Sequence, residues 1–213
     1  MQDCFHQDVT PEQLRAWDII TASYDQTVWD AEVPADRIFW DEDCPGLTPE
    51  LVAGKRVLEL GCGMVRCAPY IIGANGHYTG LDRSRLAVQA SRGRLRRWGG
   101  WEMRHTVWDA ANMVNEEFDI IFGTYFAIHQ RLEQANAILA AAGRWLRQGG
   151  LLSWDFWTAD GPAPVQSADW PVWPQTEDVL RSVLGSFGFG VVAVSEPVHG
   201  GCRQTILSQK VRP

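Results

Sequence analysis

The sequence predicts an α/β fold: a mostly parallel seven-stranded sheet, covered by helices on both faces and finished by a C-terminal antiparallel hairpin. Three observations carry this. Strand-like and helix-like patterns alternate along residues 55–187, and such alternation builds a parallel sheet between helical layers. The segment Phe118 to Phe126 (FDIIFGTYF) is almost wholly apolar, as a strand buried on both faces should be. The last two strand patterns, Val191 to Val198 and Cys202 to Val211, are joined only by His199-Gly200-Gly201, a link too short for anything but a hairpin.

Length and composition set the frame. A chain of 213 residues fits one domain over 1–213 and can bury a sizeable core. The net charge of −7 argues against a phosphate-backbone partner, which normally calls for a basic footprint. Five cysteines without a CxxC pair predict free thiols in a reducing cytoplasm and no zinc site. No signal peptide and no apolar run long enough to span a bilayer is visible. Oligomeric state is not encoded in any of these features. Eleven tryptophans are the compositional anomaly.

Along the chain, Thr10-Pro11-Glu12-Gln13 opens a helix with a capping box. Residues 26–46 mix Trp29, Phe39 and Trp40 with acidic residues and predict an irregular aromatic cover, so that 1–46 caps the main domain. Thr48 and Pro49 start a short helix ending at Gly54. The central strand, 56–60, runs into Gly61-Cys62-Gly63, and a helix to Gly73 follows. His77 to Leu81 is the second strand, closing at Asp82, and Ser84 caps a helix to Trp98. Trp101 to Trp108 is the third strand, ending at Asp109. After the fourth strand, a helix from Leu132 to Leu146 is stopped by Gln148-Gly149-Gly150, and Leu151 to Trp157 is the fifth. Residues 158–175 hold four prolines and two tryptophans without periodicity and predict a lid loop. Thr176 caps the last helix, which Gly188 ends.

Chemistry concentrates at the carboxyl ends of the strands, where parallel sheets bind ligands. Gly61 and Gly63 allow positive φ and close approach of a ligand to the backbone. G-x-G-x-x-G fails because Arg66 occupies the third glycine's place, which weakens a nicotinamide oxidoreductase reading. Glu59 suits a cationic amine, Asp82 the vicinal hydroxyls of a ribose, and Asp109 an exocyclic amine. One amine, one ribose and one adenine together describe S-adenosylmethionine.

These residues resemble the class I S-adenosylmethionine-dependent methyltransferases, whose fold is a Rossmann-like three-layer sandwich. VLELGCG is similar to the family's first motif, Leu81-Asp82-Arg83-Ser84 to the second and Val107-Trp108-Asp109-Ala110 to the third. FDIIFGTYFAIHQ and LRQGGLLSWDFW resemble the fourth-strand region and the glycine turn before the fifth strand. Ser23-Tyr24-Asp25 is similar to the segment whose tyrosine closes over the cofactor. The resemblance implies a cofactor site of Tyr24, Glu59, Gly61, Cys62, Gly63, Asp82, Arg83, Asp109, Ala110 and Thr124. It also implies methyl transfer from S-adenosylmethionine, leaving S-adenosylhomocysteine. Val65 stands where the family has a third glycine. A β-branched residue resists φ > 0, which predicts either a different turn or an altered cofactor fit.

An in-line displacement needs alignment above all, and a base only for a protonated acceptor. His129, just past the fourth strand, is the candidate base, equally readable as a local hydrogen-bonding residue. Tyr125, Trp157 and Trp40 are candidate acceptor contacts, with core packing as the alternative for each. Asp155 precedes Phe156 rather than a second oxygen ligand, so no magnesium site is expected. The expected reaction is O- or N-methylation of a small molecule; the alternative is a cofactor-binding protein that does not methylate, or an enzyme on this fold that uses the bound sulfonium only electrostatically.

Overall fold

The computed structural model describes residues 39–82, 84–96, 98–105, 117–159, 172–198 and 201–212. The predicted N-terminal helix, Tyr24, Arg83, Asp109, Ala110 and the middle of the predicted lid lie outside them.

Seven strands form one sheet: β1 Arg56–Leu60, β2 His77–Asp82, β3 Trp101–His105, β4 Phe118–Gly123, β5 Leu146–Trp157, β6 Phe189–Val194 and β7 Arg203–Lys210. Their order is β3-β2-β1-β4-β5-β7-β6. β1 to β5 are mutually parallel, and β7 runs antiparallel between β5 and β6. The chain thus reverses its direction of sheet growth beside β1, so the ends of β1 and β4 flank the crevice where such sheets bind ligands.

The helices are α1 Pro49–Val52, α2 Ala68–Gly73, α3 Arg85–Leu95, α4 Leu132–Trp145 and α5 Glu177–Ser186. Each start follows from its cap. Thr48, Ser84 and Thr176 side chains accept from the backbone N–H of Leu51, Ala87 and Val179, satisfying donors that a helix start leaves orphaned. α4 buries Ala135, Ile138, Leu139, Ala142 and Trp145, an i, i+3, i+4, i+7 stripe. Its face and that of α5 join Leu58, Leu60, Ile121 and Trp154 in one core layer. α1, α2 and α3 close the other layer with Val57, Tyr78, Phe122 and Phe39. Phe39 opens a π-helical turn, Phe39–Asp43, and stacks on Tyr70 at 4.7 Å.

Three boundaries differ from the sequence expectation. β4 ends at Gly123, not Phe126, because Tyr125 turns into positive φ (54°). The sixth and seventh strands are shorter than their patterns, and Val198 pairs with Arg203 as an isolated bridge. Most informative is Gln148-Gly149-Gly150, which does not separate α4 from β5. The strand begins at Leu146, directly after the helix. Leu146 faces Phe118 and Leu151 faces Ile120, so β5 bulges here. A Cβ at Gly150 would lie 2.8 Å from the Asp119 carbonyl; the glycine lets the bulge fold against β4.

Candidate active site

The first half of the site is the turn after β1. The N–H groups of Gly61 and Cys62 both donate to the Leu81 carbonyl, at 2.8 and 3.1 Å. That bends the chain across the end of β2. Gly61 has φ 65° and Gly63 φ 49°, and a Cβ on Gly61 would collide with the Phe126 ring. Only glycine fits there. A Cβ at Gly63 would meet nothing within 4 Å, so this side of the turn has room for a ligand. Val65 takes φ 56° and is buried among Cys62, Cys67 and Ile71. The valine therefore adopts the left-handed conformation a glycine would supply, and the expectation of a different turn does not hold. Burial of its side chain offsets a backbone cost of about 1–2 kcal/mol.

Asp82 holds this turn. Its Oδ2 accepts from Gly63 N and its Oδ1 from Ser84 N, both at 2.8 Å. The carboxylate is half-buried. α3 adds two ties: Ser91 Oγ donates to Gly63 O and Arg94 Nη1 to Met64 O. Glu59 is buried beneath the turn and accepts from the Tyr78 hydroxyl. Burial pushes its carboxyl up to about 7, against the downward pull of that hydrogen bond. A glycine cradle, a carboxylate at its rim and open space beside Gly63 suit a nucleoside carrying a positive charge.

The second half lies at the ends of β4 and β5. Asp155 is buried and accepts from Tyr125 N at 2.6 Å and Ala127 N at 3.0 Å. Those bonds fix the turn in which Tyr125 takes φ 54°. Arg203 on β7 is fully buried; its Nε donates to Asp155 at 3.2 Å, and Nη1 and Nη2 donate to the Glu42 and Asp43 carbonyls, both at 2.9 Å. The Arg203 guanidinium carbon sits 4.3 Å from the centre of the Tyr125 ring, and that of Arg66 sits 5.3 Å from it. Arg66 in turn pairs with the buried Asp43 at 3.1 Å. Burial pushes the half-buried Tyr125 phenol up, opposed by Arg203, so it stays protonated at neutral pH. Thr124 points the other way, toward Cys44 Sγ at 3.3 Å and Cys67 Sγ at 3.8 Å.

With this geometry in view, comparison with known proteins is decisive for the fold and the domain. A family model described as "Methyltransferase domain" matches residues 57–150. Residues 57–150 thus form a methyltransferase domain. No curated protein matches the chain. Among solved structures it is similar to the 1,6-didemethyltoxoflavin-N1-methyltransferase of Burkholderia thailandensis, with bound S-adenosylhomocysteine: 20% identity, TM-score 0.69, 96% of this chain and 92% of that one. It is also similar to an S-adenosylmethionine-dependent methyltransferase from Mesorhizobium loti (15%, 0.62, 76% and 96%). A third is the magnesium protoporphyrin IX methyltransferase of Synechocystis PCC 6803, with bound S-adenosylmethionine (16%, 0.59, 93% and 80%). At these identities the structures speak for the fold, while the domain implies S-adenosylmethionine as cofactor.

The methyltransferase domain brings the candidates together unevenly. Gly61, Cys62, Gly63 and Asp82 meet at one turn, with Glu59 buried below and Thr124 and Tyr125 on the neighbouring strand end. Cys62 is itself buried, its thiol pushed up by desolvation. His129 ends a 3-10 turn, Ala127–His129, directly after Tyr125 and is half-buried. Trp157 ends β5 opposite Arg203. Trp40 packs edge-on against Phe39 at 4.6 Å, on the cover segment that Arg203 ties down. The far end of the predicted lid docks on the same side: Trp173 N donates to Ile128 O and Gln175 N to Trp157 O. Arg203, Asp43, Tyr78 and Phe126 escape sequence reading, Arg66 is noticed only for the motif it fails, and Asp155 is placed at a strand end of the site but not given its role of holding the Tyr125 turn. No local pattern marks these residues, since their partners lie far along the chain. No helix among the described residues is long and apolar enough to cross a membrane.

Proposed function

We propose that this methyltransferase methylates O or N of a small organic molecule, with Tyr125, Trp157 and Trp40 on the acceptor side and His129 as base. The observation that carries the reading is a juxtaposition: the Asp82-held glycine turn and the half-buried Tyr125 stand at neighbouring strand ends on one edge of the sheet. Bound S-adenosylmethionine supplies an already activated methyl group, so the chain's task is alignment and exclusion of water. Gly61, Gly63 and Asp82 would hold the nucleoside and the sulfonium chain. Tyr125, protonated and rigidly placed, donates a hydrogen bond that orients the acceptor. His129 takes a proton where the acceptor arrives protonated. Small acceptors also appear among similar folds, in the toxoflavin precursor and the magnesium porphyrin named above.

The alternative of a cofactor-binding protein that does not methylate rested on Val65. Val65 keeps the left-handed turn, which removes the remodelled turn as its motive and leaves an altered cofactor fit as the ground for it. The test is mass spectrometry of a panel of small phenols, carboxylic acids and amines incubated with protein and cofactor. The expected product is heavier by one methylene, with S-adenosylhomocysteine in equal amount. S-adenosylhomocysteine binding without any turnover across the panel would revive the alternative.

A further inference from the structure

We infer that Arg66 is a carboxylate-reading residue of the active site. Arg66 leaves the glycine turn one residue after Val65 and reaches the end of β4, where its guanidinium lies over Tyr125 at 5.3 Å. Its side chain is 44% exposed, in contrast to the other charges around it. Asp43 is 6% exposed, Glu59 2%, Asp155 1% and Arg203 0%. Arg203 neutralises Asp155 at 3.2 Å, and Glu59 is held toward its neutral form by burial. Asp82, half-buried across the turn, already accepts from Gly63 N and Ser84 N, so among these described charges Arg66 is the most exposed one between the glycine turn and Tyr125, and it is positive.

The geometry of that charge is specific. Asp43 occupies Nη1, and among the described residues no other hydrogen-bond or ion-pair partner is present for Arg66. A guanidinium has five N–H donors in a planar fork that matches a carboxylate bidentately. Asp43 holds one end of the fork at 3.1 Å, and the Tyr125 ring lies under it at 5.3 Å. The remaining donors are pre-organised for a planar anion.

The inference rests on the methyltransferase reading for what the ligand is, though not for the site itself. Two carboxylates could come here: that of the methionine part of the cofactor, or one on the acceptor. Calorimetry separates them. S-Adenosylhomocysteine and 5′-methylthioadenosine share the nucleoside and sulfur, but only the first has a carboxylate. If the cofactor supplies the group, Arg66→Gln weakens the first about tenfold or more and leaves the second within about twofold. If the acceptor supplies it, both nucleosides keep their affinity. The wild-type complex with S-adenosylhomocysteine then binds benzoate, salicylate or nicotinate over the matching amide, and Arg66→Gln abolishes that preference.

Arg66→Lys, which keeps the charge and loses the fork, should lie between the two. It carries the test if the Gln variant is too unstable to assay. Equal weakening of both nucleosides, or no change in any ligand, would overturn the assignment. Failure of the wild type to bind either nucleoside would instead count against the methyltransferase reading. The acid-over-amide preference would then still report on Arg66.

Discussion

The two edges of this active site are built by opposite means. The proposed cofactor edge is made by contiguous chain: Glu59 to Val65 and Asp82, joined by backbone hydrogen bonds to Leu81 and by one carboxylate. The proposed acceptor edge is made by distant chain: Asp43, Arg66, Tyr125, Asp155 and Arg203, joined by ion pairs and ring contacts around the buried Asp43, Asp155 and Arg203. A glycine turn costs little electrostatically and tolerates little in shape. A buried ion pair tolerates shape better, but losing one partner strands the other. The acceptor edge should therefore fail by unfolding and the cofactor edge by losing affinity.

The largest effect tests the first half of that statement. Arg203→Ala leaves Asp155 buried without its counter-ion and frees the carbonyls of Glu42 and Asp43. The expected loss is about 3–5 kcal/mol in chemical denaturation. A loss below about 1 kcal/mol would mean that the network is not structural.

Next comes the buried acid of the cofactor edge. Glu59 is raised to about 7 when folded, from 4.5 as the ordinary value. The folded state then binds more protons than the unfolded one between these values, so stability falls as pH rises from 4.5 toward 7. The change is on the order of 3 kcal/mol. Denaturation midpoints across that window, compared with Glu59→Gln, read it; the variant should lose most of the slope. A wild-type slope of opposite sign that the variant removes would show Glu59 charged and stabilised instead.

Asp82→Ala probes affinity directly. S-Adenosylhomocysteine should bind about tenfold more weakly or worse, at least 1.4 kcal/mol. Because Asp82 also braces Gly63 and Ser84, Asp82→Asn separates bracing from charge. The smallest effect is a control outside both edges. Thr176→Ala removes the cap on Val179 N and should cost about 1 kcal/mol with nucleoside affinity unchanged. A change in affinity here would show that general destabilisation mimics loss of the site.

The same contrast explains what could be read in the sequence. The sheet, its hairpin and the glycine turn follow from patterns a few residues long: VLELGCG, the apolar fourth strand and the short final link. Thr48, Ser84 and Thr176 announce helix starts because a cap acts within three residues. Arg203 could not be recognised, since its partners stand 48 to 161 positions away. Gly149 and Gly150 were misread for a related reason. Glycine marks a special backbone, but whether it breaks an element or bulges it depends on what lies opposite, here Asp119. Val65 shows the reverse case, in which burial overrides a backbone preference that local reasoning would enforce.

The central claim is that the Asp82-held glycine turn takes the cofactor. Calorimetric titration of the wild-type protein with S-adenosylmethionine, S-adenosylhomocysteine and NAD tests it most directly. The account predicts micromolar binding of the first two, weakened in Asp82→Ala, and none of the third. Binding of NAD in their place, or no nucleoside binding at all, would contradict it.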